Sequence, residues 1–252
     1  MSESILESAG TVLVTGGSRG IGAATCKLAA KRGWAVAVNY ARDRAAAEAV
    51  VAAITSAGGR AMAVQADVAV DAEVRAMFAA IERELPPLAG LVNNAGVVDV
   101  PARVEAMSVE RLQRMFAINV FGSFYCAREA ILRMKAKRRG AIVNLSSAAA
   151  KLGGGGQYVD YAAAKGAIDS FTLGLAREVA GDGIRVNAVR PGIIATDIHA
   201  SGGAPDRAAE MAPLVPLKRA GSSEEVAEAI VWLLSDASSY TTGSIVEVTG
   251  GR

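Results

Sequence analysis

Aromatic residues are scarce in this chain, at 5% of 252 positions, and there is one histidine and there are two cysteines. A lone His199 cannot build a zinc site, which needs several nitrogen or sulfur ligands close together. Cys26 and Cys126 belong to no Cys-x-x-Cys pair, and both sit in apolar helical patterns, so they read as buried thiols. Excess charge is also missing: the formal net charge is +2. The longest cationic run is Lys137-Arg138-Arg139, which suits a helix end. No nucleic-acid footprint is expected. No apolar run is long enough for a membrane span. The first ten residues carry Glu3 and Glu7 and have neither the basic nor the apolar part of a signal peptide, so the expected location is the cytoplasm. No linker rich in Pro, Gly or Ser divides the chain.

What is present is an alternation of short β-branched runs with longer helical patterns. Strands are expected at Thr11–Thr15, Ala35–Asn39, Ala61–Ala66, Gly90–Asn93, Ala141–Leu145, Ile184–Val189 and Ser244–Val248. Helices are expected at Ile21–Arg32, Arg44–Ala57, Asp71–Glu84, Ser108–Lys137, Tyr161–Ala180 and Ser222–Leu234, with Ser108 and Ser222 as N-caps. Apolar strands between amphipathic helices imply a parallel sheet covered on both faces. The fold class is therefore α/β: one doubly wound Rossmann domain over residues 1–252, with about seven parallel strands. The stretch 193–217, with His199, Gly202-Gly203 and three prolines, is the least regular and reads as a lid over a site.

Gly16-Gly17-Ser18-Arg19-Gly20-Ile21-Gly22 lies between the first strand and the first helix. Such a turn lets backbone N–H groups approach a pyrophosphate where the helix dipole favours an anion. The spacing is Gly-x-x-x-Gly-x-Gly, so a tight turn without a ligand is the bland alternative. The second strand ends Val38-Asn39-Tyr40-Ala41-Arg42, with no acid before Asp43. An acid there would bind a ribose 2′-hydroxyl; Arg19 and Arg42 instead suit a 2′-phosphate. This favours NADP(H) over NAD(H). Two solvated arginines with Asp43 capping the next helix would look the same.

Tyr161-Ala-Ala-Ala-Lys165 places a phenol and an ammonium on one helical face. A phenol ionises near pH ~10, and a cation beside it lowers that value, which would ready Tyr161 for proton transfer. The same spacing also arises by accident in ordinary helices. Ser146 and Ser147 leave the end of the fifth strand, where α/β sites form, and Asn119 lies upstream on the long helix.

With these pieces the chain resembles the short-chain dehydrogenases/reductases, in their glucose-dehydrogenase-like and ketoreductase-like branches. The resemblance runs from Thr11 to Gly251. It rests on Thr15-Gly-Gly-Ser-Arg-Gly-Ile-Gly22, Ala66-Asp67-Val68, Asn93-Asn94-Ala95-Gly96, Asn119, Asn144-Leu-Ser-Ser147, Tyr161-x-x-x-Lys165, Arg190-Pro191-Gly192 with Thr196, and Tyr240-Thr-Thr-Gly243. It implies Tyr161 as general acid/base. Lys165 would lower the phenol's pKa and hold the nicotinamide ribose, Ser147 would hold the substrate oxygen, and Asn119 would anchor a water leading to solvent. Gly16, Ser18, Arg19, Gly20, Ile21, Gly22, Asn39, Tyr40 and Arg42 would bind the dinucleotide. Asp67 and Val68 would contact adenine; Asn93, Ala95 and Gly96 would line the adenosine ribose. Pro191, Gly192, Ile194 and Thr196 would place the nicotinamide. The family's serine usually lies one residue nearer the tyrosine, where this chain has Ala148; alignment through Asn144 and Leu145 selects Ser147 over Ser146.

The expected function is hydride transfer between nicotinamide and a ketone, an aldehyde or a secondary alcohol, a sugar among the candidates. Ala149, Gln157 and His199 are expected near the substrate. A non-catalytic NADP sensor on the same fold is the rival reading, and a hydro-lyase or epimerase a third. The helices Ser108–Lys137 and Tyr161–Ala180 have apolar residues on more faces than one sheet covers, which points to a homo-oligomer; the resemblance implies a tetramer.

Overall fold

The computed structural model describes residues 10–196 and 202–252. Seven strands form one parallel sheet in the order β3-β2-β1-β4-β5-β6-β7. They are β1 (Thr11–Val14), β2 (Ala35–Tyr40), β3 (Ala61–Gln65), β4 (Leu88–Asn93), β5 (Gly140–Leu145), β6 (Ile184–Pro191) and β7 (Ile245–Val248). The principal helices are α1 (Gly20–Lys31), α2 (Arg44–Ser56), α3 (Asp71–Glu84), α4 (Val109–Phe116), α5 (Gly122–Lys135), a short α6 (Ala149–Leu152), α7 (Val159–Val179), a short α8 (Arg207–Met211) and α9 (Ser223–Leu234).

Strand alternation sorts the core into two halves. Leu13, Ala37, Leu91, Ile142 and Val186 face the layer that contains Phe78 of α3, Ala130 of α5 and Leu175 of α7. Val12, Val14, Val36, Val38, Val92 and Val143 face the opposite layer, with Cys26 of α1, Ile54 of α2 and Ile230 of α9. A sheet buried on both faces explains why its strands read as unbroken apolar runs. Strand order reverses between β1 and β4, so a crevice opens at their carboxyl ends. α9 begins with a complete capping box: Ser222 accepts from the Glu225 backbone, and the Glu225 carboxylate accepts from the Ser222 N–H.

One expected element differs. The helix expected over Ser108–Lys137 is two helices joined by a π-helical turn at Ala117–Phe121. Ser108 caps the first of them, accepting from the Arg111 N–H at 3.2 Å. The cause of the turn is local packing. Asn119 donates from Nδ2 to the Met115 and Val97 carbonyls, both at 3.0 Å, and accepts from the Val97 N–H at 3.2 Å. Gly122 lies so close to Val68 that a Cβ would come within 2.7 Å of its side chain. A single widened turn satisfies both contacts, and such turns gather at functional sites. α7 also begins two residues ahead of Tyr161, with Tyr158 as its N-cap.

Candidate active site

The glycine turn is held from both flanking strands. The Gly16 N–H donates to Asn39 Oδ1 at 3.2 Å, and the Gly17 N–H to the Asn39 carbonyl at 2.8 Å. From β4, Asn94 Nδ2 donates to the carbonyls of Thr15 and Gly16 at 2.8 and 3.0 Å. A Cβ on Gly22 would lie 2.3 Å from the Gly16 carbonyl oxygen, so only glycine permits this closeness. Arg19, the N-cap of α1, provides no side-chain cap, and the N–H groups of the first turn have no intrahelical acceptor. Open N–H groups over a glycine cradle fit the pyrophosphate of a dinucleotide.

The residues expected to read the adenosine end divide into two groups. The expectation for Asn39 and Tyr40 needs correcting. Asn39 is 1% exposed and spends its amide on Gly16 and on the Val64 and Ala66 carbonyls. Tyr40 is buried in the core beside Val50 and Ile54. Asn39 braces the turn from inside. Asn93 is buried as well, and its Nδ2 donates to Asn144 Oδ1 at 2.9 Å, while Asn144 donates to Thr172 Oγ1 at 2.9 Å. That chain of amides ties β4 through β5 to α7. Arg42 is exposed, and Arg19 pairs with Asp43 at 2.9 Å on the surface. Asp43 also caps α2 by accepting from the Ala46 N–H. Such an exposed pair is worth little. Asp67 accepts from the Ala69 N–H at 3.0 Å, and Val68 lies beneath Gly122.

At the carboxyl end of β5, the two serines diverge. Ser146 is buried and donates to the Lys165 carbonyl at 3.3 Å. The Ser147 hydroxyl accepts from the Ala149 N–H at 3.1 Å and lies beside the Tyr161 phenol. Lys165, one turn along α7, is 4% exposed and donates from Nζ to the Leu145 carbonyl at 2.6 Å. Its Nζ is 5.7 Å from the centre of the Tyr161 ring. Gly96 completes the group: a Cβ there would lie 2.8 Å from Asn119 Oδ1 and 3.6 Å from Lys165 Nζ.

Burial governs the electrostatics of Tyr161 and Lys165. Burial raises the Tyr161 phenol above its ordinary value, and the Ser147 contact only partly opposes this. Burial also brings the Lys165 ammonium down to about 8, against a weaker pull from Asp169. Desolvation is the largest influence on both groups. Near neutral pH Tyr161 carries its proton.

Tyr161, Ser147 and Lys165 share a cavity of about 430 Å³ with Asn94, Ile21, Gly96, Pro191, Gly192, Ile194 and Thr196. Ala149 and Gln157 border it as well, whereas His199 lies outside the described residues. Sequence reasoning missed Asn94, Tyr158, Arg207 and Met211, all of which line it. Asn94 was within reach, since it sits at the switch-point end of β4; Arg207 and Met211 lie in the irregular stretch, where no periodicity points inward. A further missed feature is the pair Arg111–Asp160. Arg111 donates to both Asp160 oxygens at 2.8 and 3.2 Å and to the Val100 carbonyl at 2.7 Å.

Among the described residues, no group of three His, Cys, Asp or Glu side chains is placed to hold a metal ion. Nor is any described helix long and apolar enough to cross a membrane.

A protein family described as enoyl-(acyl carrier protein) reductase matches residues 16–252. An uncharacterised oxidoreductase of Escherichia coli K12, YgfF, is 54% identical over 243 residues, covering 95% of this chain and 98% of its own. A 3-oxoacyl-[acyl-carrier-protein] reductase of Synechocystis is 40% identical over 245 residues, 97% of each chain. A Serratia marcescens short-chain dehydrogenase/reductase double mutant superposes with a TM-score of 0.87 at 35% identity, over 96% of each chain. With a seven-stranded parallel sheet, a glycine cradle at its switch point and near-complete alignment to such relatives, this chain belongs to the short-chain dehydrogenase/reductase family of oxidoreductases.

Proposed function

We propose that the protein is an NADP(H)-dependent carbonyl reductase, with Tyr161 as the proton donor. The observation that carries this reading is the convergence of Tyr161, Ser147 and Lys165 on a cavity that also borders Ile21 of the glycine turn and Thr196. Bound NADPH would supply the hydride that reaches the carbonyl carbon.

The chain's own residues supply the rest. The Ser147 hydroxyl hydrogen-bonds the substrate oxygen and, with Tyr161, orients the carbonyl. As negative charge grows on that oxygen, the phenolic proton of Tyr161 moves to it and an alcohol forms. At neutral pH the phenol holds the proton that reduction of a carbonyl consumes. The phenolate left behind is stabilised by the nearest ammonium, Lys165 Nζ. Asn119 holds the Val97 strap against the π-turn beside Gly96, which borders the cavity next to Lys165. A similar protein from Synechocystis is a 3-oxoacyl reductase, which also supports reduction.

Arg19 and Arg42 support NADP(H) over NAD(H), because neither β2 nor its end offers a free carboxylate for a 2′-hydroxyl. We read 193–217, of which 197–201 lie outside the described residues, as a lid over the substrate side, and place the protein in the cytoplasm. Exposed Phe121, Phe124 and Leu132 around α5 and Leu173 on α7 support a homo-oligomer, a tetramer by family likeness.

The test is NADPH consumption over a panel of ketones and aldehydes. Turnover in the wild type that Tyr161→Phe reduces by at least about a hundredfold supports the reading. Tight NADPH binding without turnover of any carbonyl would identify a sensor instead.

A further inference from the structure

Building on the reductase reading, we infer that the substrate carries an anionic oxygen group, a carboxylate or a phosphate, and that Arg207 recognises it. Arg207 opens α8 and borders the cavity on the side of Gln157 and Tyr158. Its Nη2 donates to Gln157 Oε1 at 3.0 Å, and its guanidinium carbon lies 5.0 Å from the centre of the Tyr158 ring. A neutral carboxamide and a ring face hold the planar group without cancelling its charge. Other arginines at this end of the fold are matched with acids: Arg111 with Asp160, Arg190 with Asp169 and Glu247, Arg219 with Glu225.

The lining of the cavity points the same way. Among the described residues it contains no aspartate and no glutamate, whereas Lys165, Arg207 and Arg252 all border it. A concave site lined with one sign of charge concentrates ligands of the other sign. The cofactor does not account for Arg207. The cradle for its pyrophosphate is the turn at Gly16–Gly22, and the arginines suited to a 2′-phosphate, Arg19 and Arg42, flank the ends of β1 and β2. Lys165 is already engaged with the Leu145 carbonyl. Tyr158 directly precedes α7, three residues before Tyr161, so its contact sets Arg207 at the end of α7 that carries Tyr161. Leu152 and Met211 also border the cavity, which suits an apolar body. The ligand is therefore a ketone with its carbonyl at Tyr161 and Ser147, a short apolar chain, and an anion at the guanidinium.

The test compares matched pairs with the NADPH-loaded enzyme. Acetoacetate and 4-oxopentanoate are assayed against their methyl esters, and dihydroxyacetone phosphate against dihydroxyacetone. The expected result is kcat/KM at least about tenfold higher for a charged member than for its neutral partner. In Arg207→Gln that ratio should fall to about one, while Arg207→Lys should keep part of it. Selection in the oxo-acid pairs identifies a carboxylate, and selection in the triose pair a phosphate. Neutral partners turned over equally well, or a preference that survives Arg207→Gln, would overturn the inference. If no carbonyl consumes NADPH, the reductase reading fails first. Calorimetry of the same anions on NADP-loaded Tyr161→Phe then decides the role of Arg207: binding that Arg207→Gln abolishes supports it, and no binding of either anion overturns it.

Discussion

Arg111 of α4 grips both carboxylate oxygens of Asp160, the residue immediately before Tyr161, and the two side chains are 9% and 0% exposed. The same guanidinium holds the Val100 carbonyl, on the loop that follows Gly96 and Val98. One buried ion pair therefore ties the start of α7 to the wall of the cavity. Removing a single partner leaves a buried charge unmatched, which typically costs about 3–5 kcal/mol. Asp160→Ala and Arg111→Ala should each lose that much in urea unfolding. The double variant Arg111→Met/Asp160→Leu should lose less than the two singles together, because no charge is stranded.

Burial of Lys165 makes a pH-dependent prediction. Its folded-state value of about 8 lies below the 10.5 of an unperturbed lysine. Between those values the unfolded chain binds more protons at this site, so stability rises with pH. Wild type should therefore gain on Lys165→Met between pH ~8 and ~10, by up to roughly 3 kcal/mol. Unfolding at both ends of that window checks this, and parallel curves for the two proteins would contradict it.

Gly22 packs against the Gly16 carbonyl at a distance no Cβ tolerates. Gly22→Ala should push the turn open and cut NADPH affinity by more than about tenfold, through displaced N–H donors. Fluorescence titration of NADPH reads this directly. Gly166→Ala, at a position where a Cβ meets nothing within 4 Å, is the control and should bind as wild type does.

If the proposed 2′-phosphate contact holds, Arg19→Ser and Arg42→Ser should each weaken NADP binding by about tenfold and leave NAD binding almost unchanged. Equal losses for both dinucleotides would show that the arginines act on the fold of the turn instead.

Much of this architecture was legible in the sequence, for physical reasons. Strands such as Val12–Val14 and Ile142–Val143 are buried on both faces, so composition alone marks them. The Gly16–Gly22 turn and the Tyr161/Lys165 spacing are local, and local geometry survives folding. What stayed hidden depends on contacts far apart in the chain. The π-turn at Ala117–Phe121 follows from Asn119 meeting Val97 and from Gly122 meeting Val68. Asn39 looked like a ligand donor, yet its amide is consumed by Gly16 and Ala66, and the Nδ2 of Asn93 is spent on Asn144. Burial of Tyr161 and Lys165, which pushes the phenol up and the ammonium down, is likewise invisible in a helical spacing.

The most direct test follows the hydrogen itself. NADPH deuterated at its transferring carbon is incubated with the enzyme and a reducible ketone, and the alcohol is analysed by mass spectrometry. The account predicts one deuterium on the former carbonyl carbon, and an at least about hundredfold slower appearance of that product with Tyr161→Phe. Label that never reaches the product, or a Tyr161→Phe enzyme as fast as wild type, would contradict it.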